Sequence, residues 1–207
     1  MRAPGSYTAL EEFGRVRLSR YFYMRNFLYS EIGNFHGVPN LPEDPDLAIA
    51  AGRRLAEELL DPLHETFGAV AIRSGYRSPR LNHFGATEVR PQKCSANPKN
   101  YAGHIWDRRD GKGRMGACVS VAIPWFADRY AAGRDWRDLA WWLHDRLEFH
   151  EVWFFPKLAA FNLTWREAPE RRILSYIAPK GRLVAEAEAA RRARYADFPP
   201  FRGIAMP

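Results

Sequence analysis

Apolar positions in the first third of the chain fall at helical spacing, whereas those in the last third alternate. Leu55, Leu59 and Leu63 stand four apart, and Leu60 and Phe67 widen the stripe, predicting an amphipathic helix that runs to about Thr66. Asp44 and Asp46 suit its N-cap, Pro62 predicts a kink or a fresh helical start, and Gly68 ends it. Upstream, residues 18–34 read as an aromatic-rich helix or helical turn that packs against the body, followed by an extended connection through Pro39, Pro42 and Pro45. Ala69 to Arg73 is a short strand closed by the turn residues Ser74 and Gly75. Gly116 to Ile123 is a second strand, with Val119, Val121 and Ile123 on one face and Cys118, Ser120 and Ala122 on the other. Trp136 to Leu147 repeats with helical spacing. Glu151 to Phe155, Phe161 to Trp165 and Ile173 to Ile177 then read as three strands. A helix rich in Ala, Arg and Glu at about 184–196 precedes a Pro-containing tail.

Helices first and strands clustered later predict an α+β fold, a single antiparallel sheet flanked by helices. The 207 residues fit one domain with trimmings: an N-terminal arm over 1–17, the domain over 18–180, and a C-terminal helix and tail over 181–207. Residues 82–116 are rich in Gly, Pro and charge and show no period, which marks a functional or mobile stretch. No apolar run approaches the roughly 18 residues needed to cross a bilayer, so no membrane partner is expected. The first ten residues lack an apolar signal core. The expected location is cytoplasmic, with export through a phage lysis or other unseen route the alternative. Formal charge is +7, which favours acidic partners, yet much of the excess sits at Arg171, Arg172, Arg191, Arg192 and Arg194, as on a solvated face. No nucleic-acid-binding motif accompanies it, so nucleic acid is not an expected partner. Cys94 and Cys118 form no CxxC pair and read as reduced, buried thiols.

The chemistry-bearing stretch begins at Asn40. It runs N-x-P, then a helix ending L-x-P-L-x-E-x-F-G, a short strand, and Ser74-Gly75-Tyr76-Arg77-Ser78-Pro79 followed by Leu81-Asn82. In order and spacing this resembles the zinc D-alanyl-D-alanine carboxypeptidases (peptidase M15-like, hedgehog/DD-peptidase fold), and the later strands extend the resemblance over roughly 18–178. The resemblance implies zinc held by two His and an Asp, with a Glu as general base on the bound water. His104 fits the first ligand. Ser120 stands where the Asp is expected, in Gly116-Ala117-Cys118-Val119-Ser120, and Asn162 stands where the second His belongs, in Asn162-Leu163-Thr164-Trp165. The general base would fall at Ala159. Hydroxyl and carboxamide groups are poor zinc ligands, so the metal site is degenerate as matched.

The resemblance gives Arg77 the task of binding a substrate carboxylate or stabilising an oxyanion, against a structural ion pair as the plainer reading. His104, Arg77 and Ser120 are the catalytic candidates, and Tyr76, Arg77, Asn82, Asn162 and Trp165 the substrate-binding ones. Asp107 and Asp110 are the acids that could rebuild a metal site with His104, or else solvated loop acids among arginines. His83 and the pair His150-Glu151 read as surface polarity, and Trp141, Trp142, Trp153, Phe154 and Phe155 as core. Three readings stand. One is a diverged, pseudoenzyme-like relative binding or acting on a peptide or small carboxylated ligand without zinc. The second is a zinc-dependent cell-wall peptidase, a hydrolase of peptidoglycan with a rebuilt site. The third is a structural or phage-associated interaction protein of bacterial or phage context. The cofactor is accordingly none or zinc.

Overall fold

The structure, a computed structural model, describes residues 1–203. Its first helices start where short polar side chains accept a backbone N–H three residues on. Ser6 caps α1 (Tyr7–Arg15), Ser30 caps α2 (Glu31–His36) and Asp44 caps α3 (Pro45–Leu55). After α3 the chain makes one π turn, Ala56–Leu60, and re-enters α-helix as α4 (Asp61–Phe67), with Pro62 in its first turn. The break expected at Pro62 is therefore a widened turn just ahead of it. Proline offers no N–H to the carbonyl four residues back, and the Asp61 N–H reaches Ala56 instead. Leu55, Leu59, Leu60 and Leu63 are fully buried, each contributing about 1.5–3 kcal/mol by area. Gly68, at a φ of 82°, stops α4.

Of the two forms expected for residues 18–34, short helical turns are what the chain makes, not one continuous helix. Arg17 bridges to Tyr23, Met24–Phe27 makes a single 3-10 turn, and Ser30 starts α2 afresh. Side chains capture the backbone here: Asn26 Oδ1 accepts from the Tyr23 N–H at 2.7 Å, and Ser30 Oγ from the Gly33 N–H at 3.2 Å. Leu18, Phe22, Met24 and Phe27 are still buried, so the segment packs as expected.

The chain continues through β1 (Ala71–Ser74), α5 (Pro79–Thr87), α6 (Asn97–Asn100), β2 (Gly116–Ala122), α7 (Pro124–Ala131) and α8 (Trp136–Arg146). It finishes with β3 (Glu151–Phe154), β4 (Phe161–Arg166), β5 (Arg172–Ser175), β6 (Gly181–Arg182) and α9 (Glu188–Arg194). The six strands form one sheet in the order β1-β2-β4-β3-β5-β6. The fold is α+β, but the sheet is mixed rather than wholly antiparallel, because β3 and β5 run parallel. The chain reverses after β4 and lands on the far side of β3, so β5 travels in the direction of β3.

Among the described residues, both flanking segments pack on the body. Phe13 of α1 is fully buried, and Tyr195 and Phe198 join the same core. Arg134 pairs with Asp138 and Asp197, and Arg194 with Asp138, clamping the C-terminal segment onto α8. Residues of the expected N-terminal arm and C-terminal helix thus pack on the domain, and the end of the expected tail, 204–207, lies outside the described residues. Among the described residues no helix is long and apolar enough to cross a membrane.

Candidate functional site

Strand alternation gives the sheet two unlike faces. Ala117, Val119 and Val121 of β2, Phe161 and Leu163 of β4, and Val152 and Phe154 of β3 point into the core with no exposure. The opposite face carries Cys118, Ser120, Asn162, Thr164, Glu151 and Trp153. Register sets these in rows. Cys118 lies opposite Thr164, which lies opposite Glu151; Ser74 lies opposite Ser120, then Asn162, then Trp153. Ser120 and Asn162 are half-buried, and neither side chain has a hydrogen-bond partner among the described residues.

The segment 82–116 is pinned rather than loose, and it brings His104 to this face. Cys118 N–H donates to the Gly103 carbonyl at 2.9 Å, and the buried Trp106 indole donates to the Cys118 carbonyl at 3.0 Å. Arg166 of β4 reaches the Ala102 carbonyl with Nε at 3.1 Å. Gly116 permits this approach, because a Cβ there would come within 2.5 Å of the Ala102 oxygen. Ala102 itself is held at a φ of 50°, a strained setting for a residue with a Cβ. Arg77 N–H donates to the His104 carbonyl at 2.8 Å, so residues 77 and 104 are neighbours.

The His104 ring is buried. Its Nδ1 lies 3.0 Å from the Gly75 carbonyl, which can only accept, so Nδ1 carries the proton and Nε2 presents its lone pair. Nε2 faces the Cys118 thiol at 3.7 Å. Burial, with help from the Arg77 charge, lowers the His104 pKa from 6.5 to about 3. Burial pushes the Cys118 thiol up to about 12. Both shifts oppose moving the proton from thiol to ring, and the pair is neutral rather than thiolate and imidazolium. Glu151, in the row of Cys118 and Thr164 on the same face, is raised by burial against the pull of Arg172, whose Nη2 is 2.9 Å away.

Arg77 donates from Nη1 to Asn82 Oδ1 at 3.0 Å and to Cys94 Sγ at 3.2 Å. It lines a small pocket of about 270 Å³ with Ser74, Gly75, Tyr29 and Lys93, and Ser74 is the residue paired with Ser120. His104, Ser120, Asn162 and Arg77 are thus connected through adjacent contacts.

Other expected site residues lie elsewhere. Trp165 is on the core face, its indole donating to Glu58 at 2.6 Å under Arg54. Tyr76 has its ring buried beside Trp106, in the core. Asn82 is fully buried and serves as a hub, holding Arg77, Ser95 and Asn97. Asp107 is buried and accepts from the Glu43 N–H at 2.8 Å at the start of α3. Its other oxygen and the Tyr76 hydroxyl interact without a well-formed hydrogen bond, and burial raises the carboxyl pKa. Asp110 closes its own turn, accepting from the Lys112 and Arg114 N–H groups at 2.8 and 3.0 Å. Neither acid joins His104, and among the described residues no three His, Cys, Asp or Glu side chains gather as a metal-holding group. The residues missed from the sequence are Cys118, Thr164 and Glu151; the period-two pattern put Cys118 on the right face, but only the register reveals its neighbours. Set against known protein families, characterised proteins and solved structures, the chain matches none.

Proposed function

We propose that the polar face of the sheet binds a peptide or a small carboxylated ligand, and that the chain is a diverged relative of the D-alanyl-D-alanine carboxypeptidases that works without zinc hydrolysis. One observation carries this reading: the Ser120 hydroxyl and the Asn162 carboxamide sit directly opposite each other, half-buried and without a protein partner among the described residues. Together they offer donors and acceptors of the kind a peptide unit requires. Arg77, a short step away past Ser74, supplies a guanidinium for the carboxylate of a chain end. The residues do not fit a zinc set. A hydroxyl and an amide occupy the two remaining ligand positions, the His104 lone pair faces a neutral thiol, and Asp107 and Asp110 are engaged at other places. The neutral Cys118 and His104 pair likewise offers no thiolate nucleophile.

Calorimetric titration with N-acetyl-D-alanyl-D-alanine is expected to give saturable binding that Asn162→Ala weakens at least tenfold. Absence of binding sinks the reading. So does zinc found at one ion per chain in purified protein and lost in His104→Ala, which favours the peptidase.

A further inference from the structure

Between α5 and α6 the chain builds a second concavity that the polar face does not use. It is an open pocket of about 800 Å³ whose lining includes His83, Lys93, Cys94, Ser95, Asn97 and Lys99 and contains no Asp or Glu. The sequence concentrates positive charge here: residues 77–99 hold Arg77, Arg80, Arg90, Lys93 and Lys99 against the single acid Glu88. Among the described residues neither Lys93 nor Lys99 has a carboxylate partner, and both are exposed. The pocket wall is built rather than draped. The Asn82 amide donates to the Ser95 carbonyl at 2.9 Å and to Asn97 Oδ1 at 2.7 Å, and Asn100 donates back to Asn82 at 3.2 Å. Lys93 and Cys94 N–H groups both donate to the Gly85 carbonyl, and a Cβ on Gly85 would meet Cys94 Sγ at 2.5 Å. Arg77 stands behind Cys94, its Nη1 3.2 Å from the sulfur, adding a third cation to the same spot.

Three cations around a concave wall without an acid create a focused positive potential that an anion relieves. The ammonium groups act as point charges, and no guanidinium fork lines the pocket to single out a planar carboxylate. Ser95 adds a hydroxyl at the rim. We propose that this pocket is an oxyanion site that takes the phosphate group of a small ligand. Arg77 and Lys93 also line the small pocket beside the polar face, but this site uses neither Ser120 nor Asn162, so the two readings separate in the variants below.

The test is an NMR titration with inorganic phosphate, following the amides of Ser95 and Lys99, repeated with acetate at matched ionic strength. Phosphate is expected to saturate these shifts, with acetate at least tenfold weaker. Lys93→Gln combined with Lys99→Gln is expected to weaken phosphate at least tenfold without lowering the thermal midpoint, because both side chains are exposed. Equal, non-saturating shifts with the two anions overturn the site, as does full affinity in the double variant. Ser120→Ala with Asn162→Ala is expected to leave the phosphate titration unchanged; loss of phosphate binding there overturns the independence of the two sites. Phenyl phosphate binding more tightly than inorganic phosphate supports an organic phosphate as ligand, and the reverse order supports the free ion.

Discussion

Val119 and Ser120 are consecutive residues of β2, yet they serve opposite faces of one sheet. Val119 is wholly enclosed among Leu163, Val152 and the helical leucines, while Ser120 is half-buried with its hydroxyl unclaimed. On the first face apolar side chains dominate, so its role is mainly volume. On the second, hydroxyl, thiol, amide, carboxyl and imidazole groups meet in fixed rows, and their role is chemistry. A strand that tolerates this contrast draws its stability from one side and leaves the other side free to change.

The contrast breaks most visibly under truncation of the core face. Leu163→Ala is expected to cost about 2–5 kcal/mol in urea unfolding, through lost transfer energy and the cavity left behind; a cost no larger than that of Ser120→Ala removes the distinction. Acid sharpens it next. The folded His104 ring is held to about 3, whereas the unfolded chain takes up that proton near 6.5. Between those values the unfolded state binds more protons, so stability falls as pH drops below 6.5, by up to about 1.4 kcal/mol per pH unit. Glu151 and Asp107, raised in the fold, slope the other way and remain in a variant. The difference between the natural chain and His104→Gln therefore isolates the ring, and an unchanged slope assigns it elsewhere. The smallest effect belongs to Ser120→Ala, expected within about 0.5 kcal/mol of the natural chain by thermal unfolding.

The helix from Asp44 to Gly68 was legible because four leucines repeat on one side and its cap, proline and glycine stand at the right places. The aromatic segment after Leu18 was legible only as helix or helical turn, because its apolar count suits either while Asn26 and Ser30 divert the backbone into turns. α5 was overlooked although Ser78 and Pro79 announce it, the serine accepting from the Leu81 N–H at 3.2 Å. The direction of β5 depends on which edge of β3 it reaches, and no local pattern encodes that. At the site, alternation alone put Ser120 and Cys118 together. The same parity places Trp165 with Leu163 and Phe161 on the core side, a signal that motif matching overrode. Tyr76 was misplaced for another reason: burial behind Trp106 is a packing outcome.

The π turn at Ala56–Leu60 also sets a gearing between two rods. Successive α-helical residues step about 100° around the axis, so the wide turn offsets the phase of α4 from that of α3. Excising a single residue there would let the turn close as ordinary α-helix with Leu63 and Phe67 still facing the interior, while the same excision within α4 would swing Phe67 away and turn polar flanks inward. That one loop of backbone works as a phase adjuster, which makes residues 56–60 the stretch where this long helix can absorb a change in length.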